Sequence, residues 1–183
     1  MPRIDPDSLP ADQRWIAPAE SHIFRTFVNS YAGLAHYRAM TKFIREESSV
    51  PERLREMALI QVGYACNCAY EYTHHVKTGL RCGVSPDDVH AIADETEGVP
   101  TALDPLTKAV LRMSREITLG FDVSEEPFAL LQSELGNERL MELLFSVVTY
   151  VGTAKLLLTL RVELEDSYRP FLQQFPIRSR RTR

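Results

Sequence analysis

Apolar residues along this chain recur at helical spacing. Between Asp104-Pro105 and Gly120, the residues Leu106, Ala109, Val110, Met113 and Ile117 share one side of a helical repeat, with Pro at the first helical position and Gly as the stop. Ser85-Pro86-Asp87-Asp88 reads as another start, a capping Ser followed by Pro and an acid in the first turn. Ser124 opens a shorter segment that reaches Leu135-Gly136. From Leu54 to Ala65 the pattern is apolar nearly all round, which predicts a helix enclosed by protein. Long Val/Ile/Thr alternations bounded by turns do not occur, so no sheet is expected and the fold class is all-α.

The ends break this pattern. Residues 1–17, rich in Pro and Asp, predict an extended N-terminal arm; residues 18–170 form the helical domain; residues 171–183 form a basic tail, frayed from Ile177 onward. Inside the domain, residues 52–65 (ERLREMALIQVGYA) align without gaps to residues 138–151 (ERLMELLFSVVTYV), pairing Glu56 with Glu142 and Tyr64 with Tyr150. Two similar helices are therefore expected, the first carrying chemistry and the second scaffold. The longest apolar run, Leu143 to Leu160, is interrupted by Ser146, Thr149, Gly152, Thr153, Lys155 and Thr159. Such breaks are expensive in hydrocarbon, so no membrane association is expected. Leu144, Val148 and Val151 are candidate contacts between subunits, and burial inside the protomer would give the same pattern.

Composition narrows the function classes. Of 183 residues, 44% are hydrophobic and 25% charged, a globular balance that excludes disordered and collagen-like chains. A net charge of −4 supplies no field for nucleic acid, and none is expected as a partner. The opening MPRIDPDSLPADQRW has no apolar leader, so a cytoplasmic location is expected. Cys66, Cys68 and Cys82 cannot all pair within one chain and read as thiols.

Chemistry concentrates between Glu56 and His75. A helix beginning near Asn67 puts Cys68 in its first turn, with Glu71 and His75 on the same face. The helix N-terminus and a protonated imidazole would both favour a Cys68 thiolate, while Glu71 would repel it. Glu56 stands in the apolar segment, where burial raises a carboxyl toward a useful proton-transfer range; the alternative is a surface pair with Arg53 or Arg55. Tyr70 and Tyr72, which flank Glu71, are candidate substrate contacts, and His74 points away from Cys68, toward solvent or an interface. Cys66, Cys68, His74 and His75 lack a second spaced pair, so no metal is expected. Without a Gly-rich phosphate loop, no cofactor is expected either.

The run from Arg55-Glu56 to His75, with Cys68-x-Tyr70-Glu71-x-x-x-His75 followed by Gly83-Val84-Ser85, resembles the carboxymuconolactone decarboxylase family, which includes the alkylhydroperoxidase D-like proteins. The likeness extends from about Glu20 to Glu165. It implies an all-helical fold with repeated helices, assembled as a homo-oligomer, a trimer or hexamer. It also implies that Glu56, Cys68 and His75 match the proton-relay glutamate, first cysteine and histidine of the peroxidase branch. That branch has a second cysteine where this chain has Glu71, so its C-x-x-C pair cannot form. The decarboxylase branch usually has Glu and His at the positions of Glu71 and His75, without the cysteine pair.

Two chemistries on a small-molecule substrate follow. In the first, His75, relayed through Glu56 or water, deprotonates Cys68, which attacks a hydroperoxide and becomes a sulfenic acid, with Cys66 or an outside thiol to resolve it. In the second, His75 and Glu71 move protons on a small carboxylate or lactone, Arg53 or Arg55 holds it, and Cys68 is incidental. A third reading is a non-catalytic oligomeric scaffold.

Overall fold

Helix starts in this protein follow the short polar residues that precede them. The computed structural model describes residues 1–120 and 122–178, and within them every regular element is helical. Ser21 accepts the Phe24 N–H at the head of α1 (His22–Phe27), and Ser30 accepts the Gly33 N–H at the head of α2 (Tyr31–Lys42). α2 continues into a π turn, Phe43–Glu47, closed by the Ser48 N–H on the Phe43 carbonyl at 2.9 Å. α3 (Glu52–Ala65) and α4 (Ala69–Arg81) follow. Ser85 and Asp88 form the reciprocal cap of α5 (Pro86–Glu97), which ends on Gly98 at φ 77°, a left-handed geometry suited to glycine. Asp104 caps α6 (Pro105–Leu119), and Gly120 ends it. α7 (Glu125–Leu160) is broken at Gly136 (φ 74°, ψ 170°), where the sequence pattern places the end of a shorter helix. α8 (Arg169–Gln174) is the last helix among the described residues.

The enclosed helix is α3. Every residue from Leu54 to Ala65 is buried, because α4, α5, α6 and α7 all pack on it. One side joins Leu54, Ala58, Leu59 and Val62 to α6 and α7 through Val110, Met113, Leu143 and Val147. The other side joins Met57, Ile60 and Tyr64 to Tyr72 and Val76 of α4, Ile92 of α5 and Phe175. Fully burying an aliphatic side chain of this size is worth about 1.5–3 kcal/mol, so this wrapping stabilises a helix that would be marginal alone.

Gly63 sets how close α3 and α4 can come. A Cβ added there would lie 2.6 Å from the backbone N and Cα of Tyr72. Gly63→Ala is therefore expected to cost about 1–3 kcal/mol by forcing the two backbones apart. A urea unfolding curve with a lowered midpoint would bear this out, and an unchanged midpoint would contradict it.

Two expectations about the periphery need correcting. Residues 1–17 do not form an extended arm: Pro6–Ser8 and Ala11–Ile16 are 3-10 turns, and Ile16 and Ala17 are fully buried beside Val28 and Leu34. The basic tail is docked at its start, since Phe175 is buried, Ile177 packs on the same cluster and Arg178 pairs with Asp94 at 2.8 Å and Glu97 at 3.1 Å. Residues 179–183 of that tail lie outside the described residues. Of the candidate subunit contacts, Val148 is 58% exposed, whereas Leu144 packs on the core and Val151 is buried in it. By length and composition α7 could cross a membrane, although 44% of its apolar window is buried against the rest of the protein.

Candidate active site

Wrapping α3 on all sides takes Glu56 out of water. Glu56 is fully buried, and its Oε2 lies 2.8 Å from His75 Nδ1 on α4. Its Oε1 lies 3.4 Å from Nε of Arg55, itself buried. Glu71 and His75 are one turn apart on α4, with Glu71 Oε1 3.0 Å from His75 Nε2. The second contact is close but poorly aligned, so Glu71 Oε1 is left buried without a hydrogen bond. One imidazole is thus held between two carboxylates from adjacent helices.

These neighbours fix the charge state. Burial works against a charged His75, but the Glu56 carboxylate outweighs it, with Glu71 adding support, and holds the imidazole up at about 9. Burial likewise pushes the Glu56 carboxyl up, but the His75 charge and hydrogen bond, helped by Arg55, leave it below its ordinary range. At neutral pH the pair is imidazolium and carboxylate, with both ring N–H groups available to donate.

A cavity of about 350 Å³ opens onto this cluster and is lined by Glu56, Glu71 and His75 together with Tyr37 of α2 and Tyr150 of α7. His75 meets the Tyr150 ring edge-on, with centroids 4.6 Å apart and planes at 89°. Tyr37 Oη shares a hydrogen bond with Thr153 Oγ1 at 3.2 Å. Burial, reinforced by Glu71, keeps both phenols protonated far above neutral pH.

The cavity mouth is built from segments distant in sequence. Glu165 accepts from Tyr70 Oη at 2.5 Å and from the His22 N–H at 2.9 Å, and it meets His74 Nε2 at 3.0 Å. Burial opposes its charge, but these three partners hold its carboxyl down to about 2. His74 is stacked between Tyr70 (4.3 Å) and Tyr168 (3.7 Å), with its side chain 27% exposed. Lys77 Nζ sits 4.3 Å from the centre of the Tyr168 ring.

The structure brings Glu56, Glu71 and His75 together and leaves other candidates elsewhere. Cys68 is the N-cap of α4 rather than a first-turn residue, and it does not line the cavity. Burial among Ile23, Tyr70, Ala154 and Leu157 pushes its thiol up to about 12, although the Tyr70 and Glu71 N–H groups favour the thiolate. At this helix start desolvation wins over the helix field. Cys66 ends α3 half-buried against the core. Tyr72 does not face the cavity: it packs on Tyr64, with centroids 5.9 Å apart. Arg53 is tied to Asp88 at 2.9 Å and Thr107 at 3.3 Å, and Arg55 to Glu56, so neither is placed to hold a substrate. Tyr70 does line the cavity, with its hydroxyl committed to Glu165. Tyr37, Tyr150, Glu165 and Tyr168 went unread in the sequence; only the pairing of Tyr150 with Tyr64 in the internal echo singled one of them out.

Among the described residues, no group of three His, Cys, Asp or Glu side chains is arranged to hold a metal ion. The family model for the carboxymuconolactone decarboxylase family matches residues 31–114, spanning α2 to most of α6 and including Glu56, Cys68, Glu71 and His75. A search of curated proteins finds no match. Tyr150, Glu165 and Tyr168 lie beyond the matched stretch.

Proposed function

We propose that this protein, whose residues 31–114 match the family model for the carboxymuconolactone decarboxylase family, is an acid–base enzyme that moves protons on a small unsaturated carboxylate or lactone with Glu71 and His75. The observation that carries this reading is the buried Glu71 oxygen on the cavity wall, 3.0 Å from a charged His75 and without a hydrogen bond. A carboxylate so placed can accept a proton, and the adjacent imidazolium Nε2–H can supply one. Glu56 touches the reaction only through His75, keeping the ring charged and oriented, and is a positioning residue.

The steps balance without an outside oxidant. In an isomerisation, Glu71 takes the proton next to a carbonyl, the C–H electron pair enters the conjugated frame, and the carbonyl oxygen gains charge. The proton then returns at another carbon of that frame. In a decarboxylation, the bond to the carboxyl carbon breaks instead, carbon dioxide leaves, and the enolate takes a proton from His75. The neutral Tyr37 and Tyr150 hydroxyls are suited to hydrogen-bond the developing oxyanion in a site largely shielded from water.

Thiol chemistry has weaker support, because Cys68 is protonated, apolar in its surroundings and off the cavity. The test is a panel of small unsaturated carboxylates and lactones incubated in deuterated water and read by NMR for solvent deuterium or product. Turnover that Cys68→Ser leaves within about twofold is expected, as for a residue outside the reacting set. Loss of all activity in Cys68→Ser, together with turnover of an organic hydroperoxide by the unaltered protein, would overturn the proposal.

A further inference from the structure

Resting on the proton-transfer reading, we propose that Arg45 is the anion-anchoring residue of this cavity, presented by the π turn at the end of α2 to fix the bound molecule with its reacting carbon at Glu71. Arg45 lines the cavity. Its Nε is spent on the Thr41 carbonyl at 3.1 Å, which holds the guanidinium in place. Among the described residues its terminal nitrogens make no ion pair or hydrogen bond, so a planar fork of donors is left for a ligand.

The backbone beneath Arg45 points the same way. Helices rarely widen into a π turn, and where they do the irregularity commonly serves a site. Here the turn comprises Phe43–Glu47, with Ile44 buried in the core, so Arg45 projects from an anchored segment rather than a free loop.

Charge placement supplies the second support. Tyr37 and Tyr150 lie within the field of both Arg45 and Glu71. The two phenols, the spare cation and the carboxylate with its unsatisfied oxygen all line one cavity. A flat molecule whose anionic group rests on Arg45 would cross the two tyrosines and present its far side to Glu71. The His75 imidazolium is already paired with Glu56, Lys77 is stacked on Tyr168 at the mouth, and His74 is held by Glu165. Arg45 is the cation best placed to set orientation.

The test uses the full chain and two probes of equal shape, 4-fluorobenzoate and 4-fluorobenzamide, with binding followed by fluorine NMR. The unaltered protein should prefer the benzoate. Arg45→Gln should weaken benzoate binding roughly 10- to 100-fold, as expected for loss of a charge-assisted bond, and leave the benzamide within about twofold. Arg45→Lys should fall between, and Lys77→Gln should change neither probe by more than about twofold. Equal losses from Arg45→Gln and Lys77→Gln, no loss from Arg45→Gln, or no preference for the benzoate in the unaltered protein would each overturn the assignment. Glu71→Gln should keep benzoate affinity, so failure of the anchor and failure of the proton-transfer reading give different results.

Discussion

Glu71→Gln is expected to lower turnover roughly 100- to 10,000-fold, the range lost when a positioned proton-transfer group is removed. The substitution keeps the shape of the side chain and removes its ability to take a proton. Only 3% of Glu71 is exposed, so water has little room to replace it as the base. Its Oε1 makes no hydrogen bond, so the fold has little to lose there and the melting temperature should move by only a few degrees. Steady-state kinetics beside a thermal melt check both halves. Activity retained within a few-fold would remove Glu71 from the chemistry, whereas inactivity with a collapsed melt would make its role structural.

Glu56→Gln should act in the opposite proportion, on stability first. Glu56 is fully buried between His75 and Arg55, and deleting its charge leaves two buried cations without their shared carboxylate. Breaking a buried pair costs about 3–5 kcal/mol, and the lower end applies because His75 can shed its proton in response. For a domain of this size that corresponds to a fall of roughly 10 °C in the melting temperature. The pH dependence should change with it. His75 keeps its proton up to about 9 when folded and releases it near 6.5 when unfolded, so its contribution is complete below pH 6.5 and fades as pH rises through 9. Glu56, held below its ordinary 4.5, contributes above that pH and fades on acidification. The unaltered protein should lose stability between pH 6.5 and 9, and Glu56→Gln should flatten that slope. An equal slope in both proteins would show that the pair does not set it.

Local chemistry in the sequence was enough for the helix starts and for half of the site. Ser85, Asp104 and Gly136 act within a few residues of themselves, so their caps and break could be read directly. The extended arm could not be read correctly, because 3-10 turns leave no helical periodicity and Ile16 is buried only by contact with Val28 and Leu34. Glu71 and His75 share a helix turn and were visible as a pair, and the apolar segment around Glu56 announced its burial. Cys68 misled because a helix start favours a thiolate, while the apolar cluster that opposes it comes partly from Ile23, Ala154 and Leu157. The same distance in sequence hid Tyr37, Tyr150 and Glu165. In the internal echo, Glu142 has a different task from Glu56: it accepts from Ser48 and Ser49 ahead of α3. Tyr150 reaches the site, although its echo partner Tyr64 packs in the core.

The charge on His75 is the point on which the acid–base chemistry turns, and it can be measured without a substrate. A pH titration of the nitrogen-15 signals of the His75 ring by NMR reads it directly. A ring that is protonated on both nitrogens at neutral pH and releases its proton near 9, with the midpoint pulled down in Glu56→Gln, is the predicted result. A neutral ring at pH 7, or a midpoint indifferent to Glu56, would contradict it.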